Sequence, residues 1–475
     1  PGLIDAHGHV TRHGRALASV DLVNVKSEAA AAQRVAEFLS AEPASGAWVW
    51  GSGWNQVLWP GKEFPVRQSL DAISGDVAVV LRRVDGHAYW VNSRALEAAG
   101  IGDVTPDPPG GQIIRDEQGK ATGVLIDNAK NLVSDAMPAL SDEQVAGHQA
   151  RALRDLAANG LTSVHDAGIT AQELRGFRNL LKAGELSVRV YTMLAALDPA
   201  NDAELAAGPT VDAQHMLSVS SVKISADGAL GSRGAALFED YSDKPGHRGL
   251  LLLTDEELTH HMSRAVAAGF QVNTHAIGDL ANDRVLLNYE MLNKEEASRV
   301  LRHRVEHAQV LRPQDVARFA AAGILASIQP THATSDKNMA VDRLGEERLE
   351  AAYAWSTLLE SGAQLAGGSD FPVEFANPFY GLHAAVTRQS HDNQPEGGWL
   401  PGQKLSRQTS LSLFTQDAAF AAHQEKLIGR LLPGYYADFI LVGDNYFEQP
   451  ESEIWQNRVL ATYVAGRRVY SAGQD

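Results

Sequence analysis

The chain has 475 residues, 44% hydrophobic and 21% charged, the composition of a globular enzyme-sized protein and not of a disordered or membrane-embedded one. A formal net charge of −17 speaks against a nucleic-acid partner, which would need clustered Lys and Arg, and no uncharged apolar run reaches the roughly 18 residues of a membrane span. With no cysteine, disulfides, thiolate metal sites and a cysteine nucleophile are excluded, so any metal must be held by nitrogen and oxygen. The partner expected is a small-molecule substrate, with no nucleic acid and no membrane, and a homodimer is the default oligomer. No basic-then-apolar leader begins at Pro1; a cytoplasmic setting is expected, or a periplasmic one if a leader was removed before Pro1.

In chain order, eight apolar runs have strand character: Gly2 to His9, Leu161 to Asp166, Val188 to Leu194, Val219 to Ser225, Phe270 to His275, His303 to His307, Ile324 to Gln329 and Gln364 to Asp370. Helix-like stretches rich in Ala, Leu and Glu lie between several of them, such as Glu143 to Ala158, Asp255 to Ala268 and Pro313 to Ala322. Strand and helix alternating eight times predict an α/β fold with a parallel (β/α)₈ barrel. About 150 residues separate the first two strands, far beyond an ordinary βα connection. That segment is expected to be a lid-like inserted subdomain. After Asp370 come helices to about His423, then an apolar strand at Ala437 to Val442 and a hairpin from Val459 to Tyr470 turning at Ala465-Gly466. The expected divisions are 1–46 (first barrel strand and helix), 47–130 (insertion), 131–425 (rest of the barrel) and 426–475 (a small β-sheet segment).

The residues able to carry chemistry gather at strand ends. His7-Gly8-His9 puts two imidazoles on one side of a strand, and Asp5 shares their parity. His275, His307 and Asp370 end three further strands, at the face where barrel enzymes keep their active sites. Lys223 lies in the apolar run Val219 to Ser225, where an unpaired ammonium is costly. Burial would release a neutral amine, free either to take up carbon dioxide as a metal-bridging carbamate or to form a Schiff base with a carbonyl. Asp227-Gly-Ala-Leu-Gly-Ser-Arg233 lacks the spacing of a phosphate loop; Arg233 is a candidate for holding a substrate carbonyl or carboxylate. Asp85, His87 and Trp90 in the insertion are candidate substrate contacts, and His165 and Asp166 are candidates for supporting the metal ligands. His303-Arg-Val-Glu-His307 also fits the H-x-x-E-H pattern of inverted zinc peptidases, which requires a helix.

At these residues the chain resembles the amidohydrolase superfamily, in its YtcJ-like or amidohydrolase-3 branch. The resemblance covers nearly the whole chain, through Pro1-Gly-Leu-Ile-Asp-Ala-His-Gly-His9, Asp85-Gly-His-Ala-Tyr-Trp-Val-Asn92, Val222-Lys-Ile-Ser-Ala-Asp-Gly-Ala-Leu-Gly-Ser-Arg233, Asn273-Thr-His-Ala-Ile-Gly-Asp279, Val305-Glu-His-Ala-Gln309 and Gly368-Ser-Asp-Phe-Pro372. It implies a distorted (β/α)₈ TIM barrel beside a small β-sandwich, built from the C-terminal segment and, in family members, an N-terminal strand segment that would precede Pro1. It further implies two divalent ions, by default Zn²⁺: His7, His9 and Asp370 on one, His275 and His307 on the other, and N6-carboxylated Lys223 between them. The activity implied is hydrolysis of an amide-type C–N bond other than a peptide bond, in an N-acyl or N-formyl small molecule, with Asp370 as the catalytic base and then acid. Alternatives are a lactone or ester hydrolase on the same fold, a Schiff-base lyase using Lys223, and a scaffold that binds metal without catalysis.

Overall fold

The structure is a computed structural model that describes residues 1–41, 48–84 and 86–473. Asp85 lies outside the described residues. The chain divides into two compact units, Pro1–Gly14 with Asp142–Asp475, and Arg15–Ser141.

In the first unit eight parallel strands follow one another round a nearly closed barrel: β1 (Leu3–Gly8), β2 (Leu161–Ile169), β3 (Arg189–Ala195), β4 (Leu217–Ser225), β5 (Gln271–Ala276), β6 (Arg304–His307), β7 (Leu325–Ile328) and β8 (Gln364–Gly367). A parallel bridge between Gly8 and Phe371 joins the end of β8 back to β1. Strands covered by helices outside and packed inside are buried on both faces, which is why each reads as a nearly unbroken apolar run. The helices between them carry explicit start and stop signals. Thr170 and Thr254 form capping boxes with Glu173 and Glu257, and Pro313 opens a helix that Gly323 closes in the left-handed conformation. One feature of the barrel interior departs from an apolar filling. Arg304, Glu306 and His165 are fully buried there, with Arg304 Nη1 3.0 Å from His165 Nδ1 and 4.0 Å from Glu306 Oε1.

After the barrel, β9 (Phe439–Val442), β10 (Val459–Val464) and β11 (Arg467–Ser471) form a separate antiparallel sheet. Its hairpin turns through Ala465 and Gly466, both at positive φ, as a tight two-residue turn requires. The sheet is tied to the barrel by a buried ion pair, Arg189 Nε to Asp438 Oδ2 at 2.7 Å, and by Thr462 Oγ1 donating to Ala157 O at 2.7 Å.

The second unit is a six-stranded mixed sheet in the order Val20–Asp21, Trp48–Trp54, Ala78–Arg83, Ala88–Val91, Ala121–Asp127, Gly111–Arg115. It starts and ends outside the 47–130 span read from sequence. Val20–Asp21 pairs with Trp48–Trp54, Ala31 and Val35 of the helix Glu28–Ala41 enter one of its cores, and Ala129, Val133 and Met137 enter the other. Trp90 is fully buried, its Nε1 donating to Val66 O at 3.0 Å and its ring set edge-on to Trp54 and Trp59. It is therefore a core residue of this unit and not a surface for substrate. His87 sits exposed, with Nδ1 2.8 Å from Asp127 Oδ1. No described helix is long and apolar enough to cross a membrane.

Candidate metal centre

Donor atoms of His7, His307 and Asp370 lie within 4.8 Å of one another, all three residues buried, at the C-terminal ends of β1, β6 and β8. The other expected ligands surround them. His9 Nε2 is 3.1 Å from Asp370 Oδ1, Lys223 Nζ is 3.1 Å from His7 Nε2, and the His275 ring centroid is 4.5 Å from that of His307. All six line one cavity of about 550 Å³.

Backbone geometry explains how so many groups converge. A Cβ on Gly8 would lie 2.3 Å from the Phe371 ring, so only glycine between the two histidines lets β1 approach the end of β8. Asp370 N donates to His7 O at 2.7 Å and His9 N to Phe371 O at 2.8 Å, while Asp5 takes the Ser369 hydroxyl at 2.6 Å. Burial raises the Asp5 carboxyl to about 7 against these hydrogen bonds. His307 and Asp370 both adopt positive φ, 78° and 63°, a conformation unusual for residues with a side chain and concentrated at functional sites. At His307 it breaks strand alternation, so consecutive Glu306 and His307 both reach His7.

Three of the imidazoles are oriented through Nδ1. That of His7 donates to the Glu306 carboxylate, that of His9 to Ala167 O at 2.9 Å, and that of His307 to Gln329 Oε1 at 2.7 Å. Each then presents an Nε2 lone pair, the arrangement found behind metal-bound histidines. Burial and the neighbouring Lys223 push His7 down to about 4; burial and His275 push His307 well below its usual value. Burial opposes ionisation of Asp370, but the His9, His7 and His307 imidazoles hold its carboxyl well below the usual range. Glu306 is likewise buried, yet His7, Arg304 and Lys223 bring it down to about 2. Burial lowers the Lys223 ammonium. The residues fit a divalent cation for a direct reason: Asp370 Oδ1 is buried without a hydrogen-bond partner, and nitrogen donors of His7 and His307 lie within 4.8 Å of an Asp370 oxygen, an N/O donor set suited to such an ion.

His275 is turned differently, with Nε2 3.5 Å from Gly228 O and 3.4 Å from Asp227 Oδ1. The Gly-rich loop is shaped by Asp227, which accepts from the N–H groups of Ala236, Ile277 and Gly278. Arg233 does not line the cavity; its guanidinium makes two hydrogen bonds to Asp243, at 3.0 and 2.7 Å, and that commitment withdraws it from substrate binding. Asp166 Oδ1 accepts from Val10 N at 2.9 Å, immediately after His9, and His165 joins the buried Arg304. His303 lies outside the cluster: its Nδ1 accepts from Val272 N at 3.0 Å, and the segment is a strand and not the helix an H-x-x-E-H zinc site needs.

Four residues at this mouth escape a reading of strand ends alone. Glu306 and Gln329 hold the imidazoles of His7 and His307. His332, with Nε2 3.7 Å from Asp370 Oδ2 and its ring stacked 5.8 Å from His307, faces the cluster from the helix Pro330–Leu344. Asp336 on the same helix accepts from Gln309 Nε2 at 2.9 Å and Tyr353 OH at 2.8 Å.

The sequence model of the amidohydrolase family matches residues 1–470. This chain belongs to the amidohydrolase family. It is 33% identical over 477 residues to YtcJ of Bacillus subtilis (strain 168), across 99% of this chain and 88% of that one. It is 27% identical over 481 residues to an N-substituted formamide deformylase of Arthrobacter pascens, across 98% and 87%. Among solved structures, an uncharacterized metal-dependent hydrolase from Pyrococcus horikoshii OT3 superposes with a TM-score of 0.80 at 28% identity, covering 95% of this chain and 87% of that one. The protein is an amidohydrolase-family, metal-dependent hydrolase, and the His/Asp cluster at the barrel mouth is its candidate metal site.

Proposed function

We propose that the protein hydrolyses an amide-type C–N bond in a small N-acyl or N-formyl compound, with Asp370 as the proton-transferring residue. The observation that carries the reading is Asp370 itself. Its carboxylate is buried at the focus of His7, His9, His307 and His332, whose imidazoles hold it well below the usual carboxylate range, and it lines a cavity of small-molecule size. The formamide deformylase relative supports the bond type.

A divalent ion, Zn²⁺ by default, supplies Lewis acidity toward a carbonyl oxygen and acidifies water. His7, His9 and Asp370 would hold one such ion, His275 and His307 a second, with Lys223 bridging. For that role the Lys223 amine adds to carbon dioxide, forming an N–C bond and releasing one proton to give a carbamate. Its burial favours the neutral amine that the addition needs. Asp370 takes a proton from the attacking water and delivers it to the leaving nitrogen as the C–N bond breaks. His332 lines the same cavity, its Nε2 3.7 Å from Asp370 Oδ2 and without a hydrogen-bond partner of its own.

The test is turnover by metal-loaded protein across N-acyl amino acids, N-substituted formamides, cyclic imides and lactones, followed by amine release and by acid production. Amine release from an acyclic amide is expected. Turnover of lactones alone would move the protein to the ester-hydrolysing alternative.

A further inference from the structure

We propose that Arg12 fixes a carboxylate on the amine half of the substrate, so that the compounds cleaved are N-acyl amino acids and not neutral N-substituted formamides. The inference rests on the C–N hydrolase reading above and narrows it. Arg12 sits on the helix Val10–Leu17, three residues beyond His9, and lines the cavity that contains the ligand cluster.

Among the charged residues lining that cavity, Arg12 differs from the rest in having no side-chain partner among the described residues. Lys223 and Asp370 belong to the metal cluster. Asp336 is held by Gln309 and Tyr353, and burial raises its carboxyl toward the neutral form. Glu374 accepts the Ser335 hydroxyl at 2.5 Å. A guanidinium offers a planar pair of N–H donors matched to a carboxylate, whereas Glu374 repels an anion placed against it. The same cavity has an apolar lining in Leu230, Ile277 and Val373, the last 59% exposed, suited to an acyl chain. One cavity thus brings together an apolar lining, the ligand cluster and a guanidinium without a side-chain partner among the described residues. In the reaction the amide C–N bond breaks, a C–O bond to water forms, and the products are a carboxylate and a free amino acid, whose nitrogen receives the proton carried by Asp370.

Two measurements test this. The first is the ratio of kcat/KM for an N-acetyl amino acid to that for its uncharged carboxamide, in the wild type, Arg12→Gln and Arg12→Lys. The wild type should favour the carboxylate, Arg12→Gln should lower the ratio about tenfold, and Arg12→Lys should fall between them. The second needs no turnover: binding of 4-oxopentanoate and 4-oxopentanamide, ketone isosteres of N-acetylglycine and its amide, followed by NMR titration of the metal-loaded protein. The acid should bind more tightly than the amide, and Arg12→Gln should erase the difference. A ratio within twofold of wild type in Arg12→Gln, or an unchanged binding difference, overturns the role of Arg12. Absence of turnover on every amide, with the binding difference intact, overturns the reaction and leaves the carboxylate site standing.

Discussion

The Nδ1 of His7 donates to the Glu306 carboxylate, and the opposite ring nitrogen points at Lys223 and Asp370. Glu306 also lies 4.0 Å from the guanidinium of Arg304, so one buried anion both orients a ligand and balances a buried cation. Glu306→Gln keeps an acceptor for His7 but removes the charge. Metal affinity measured by chelator competition should fall about 10- to 100-fold, with lower resistance to denaturant because Arg304 loses its neutralising partner. Unchanged metal affinity would show that this hydrogen bond does not tune the site.

Asp370→Asn preserves shape and removes the proton acceptor. With metal content held at the wild-type level, kcat is expected to drop about 10³-fold, while circular dichroism stays unaltered. Retained turnover in a fully loaded variant would take the proton-transfer role away from Asp370.

Removing metal with a chelator should abolish activity and lower the thermal midpoint, since an ion that binds only the folded chain stabilises it; adding a divalent ion back should restore both. Elemental analysis is expected to find two ions per chain in the wild type and one in Lys223→Ala, and bicarbonate should raise the occupancy of the wild type alone. Two ions in Lys223→Ala would remove the bridging role.

His332 faces Asp370 from outside the strand ends, and its Nε2 is buried without a hydrogen-bond partner. His332→Ala should lower kcat about 10²-fold with metal stoichiometry unchanged. A variant that instead loses metal would make His332 a ligand.

Away from the site, burial holds His303 at about 4, where its ring stacks on Tyr289 and bonds Ser298 and Val272. An unfolded histidine takes up its proton near pH 6.5. Between these values the unfolded chain binds more protons than the folded one, so stability falls as pH drops through this window. Going from pH 7 to pH 5, His303 should account for about 2 kcal/mol of lost stability. His303→Asn should show a correspondingly shallower decline in denaturant unfolding; an equal decline in both proteins would refute the linkage.

Much of this was legible in the amino-acid sequence because a parallel barrel advertises itself. Its strands are continuous apolar runs, and His7, His275, His307 and Asp370 each sit where such a run stops. The observed strands fall on all eight runs, and the helix Pro313–Ala322 begins and ends where its proline and glycine signals place it. Contacts between distant segments were not legible. Glu306 neighbours His307, and strand alternation would turn it away; only the positive φ of His307 brings both inward. Gln329 and His332 matter through partners on other strands. Trp90 had the composition of a recognition residue, but its environment is set by Trp54 and Trp59, far off in sequence. Arg233 looked available because the turn signal at Asp243-Lys-Pro-Gly246 does not say which side chain its aspartate will meet; the fold brings Asp243 onto the Arg233 guanidinium.

The Gly8–Phe371 bridge has a consequence for how the protein comes into being. The cluster straddles the joint between the first strand of the barrel and the last, with His7 and His9 on one lip and Asp370 on the other. No intermediate lacking that joint can assemble the whole candidate cluster, so with these residues as the metal ligands a growing chain is expected to stay inert until Asp370 has emerged and the ring has shut. A divalent ion held by His7, His9 and Asp370 would rivet the two ends of the barrel together. Metal occupancy is then a gauge of completed assembly as much as a requirement for chemistry.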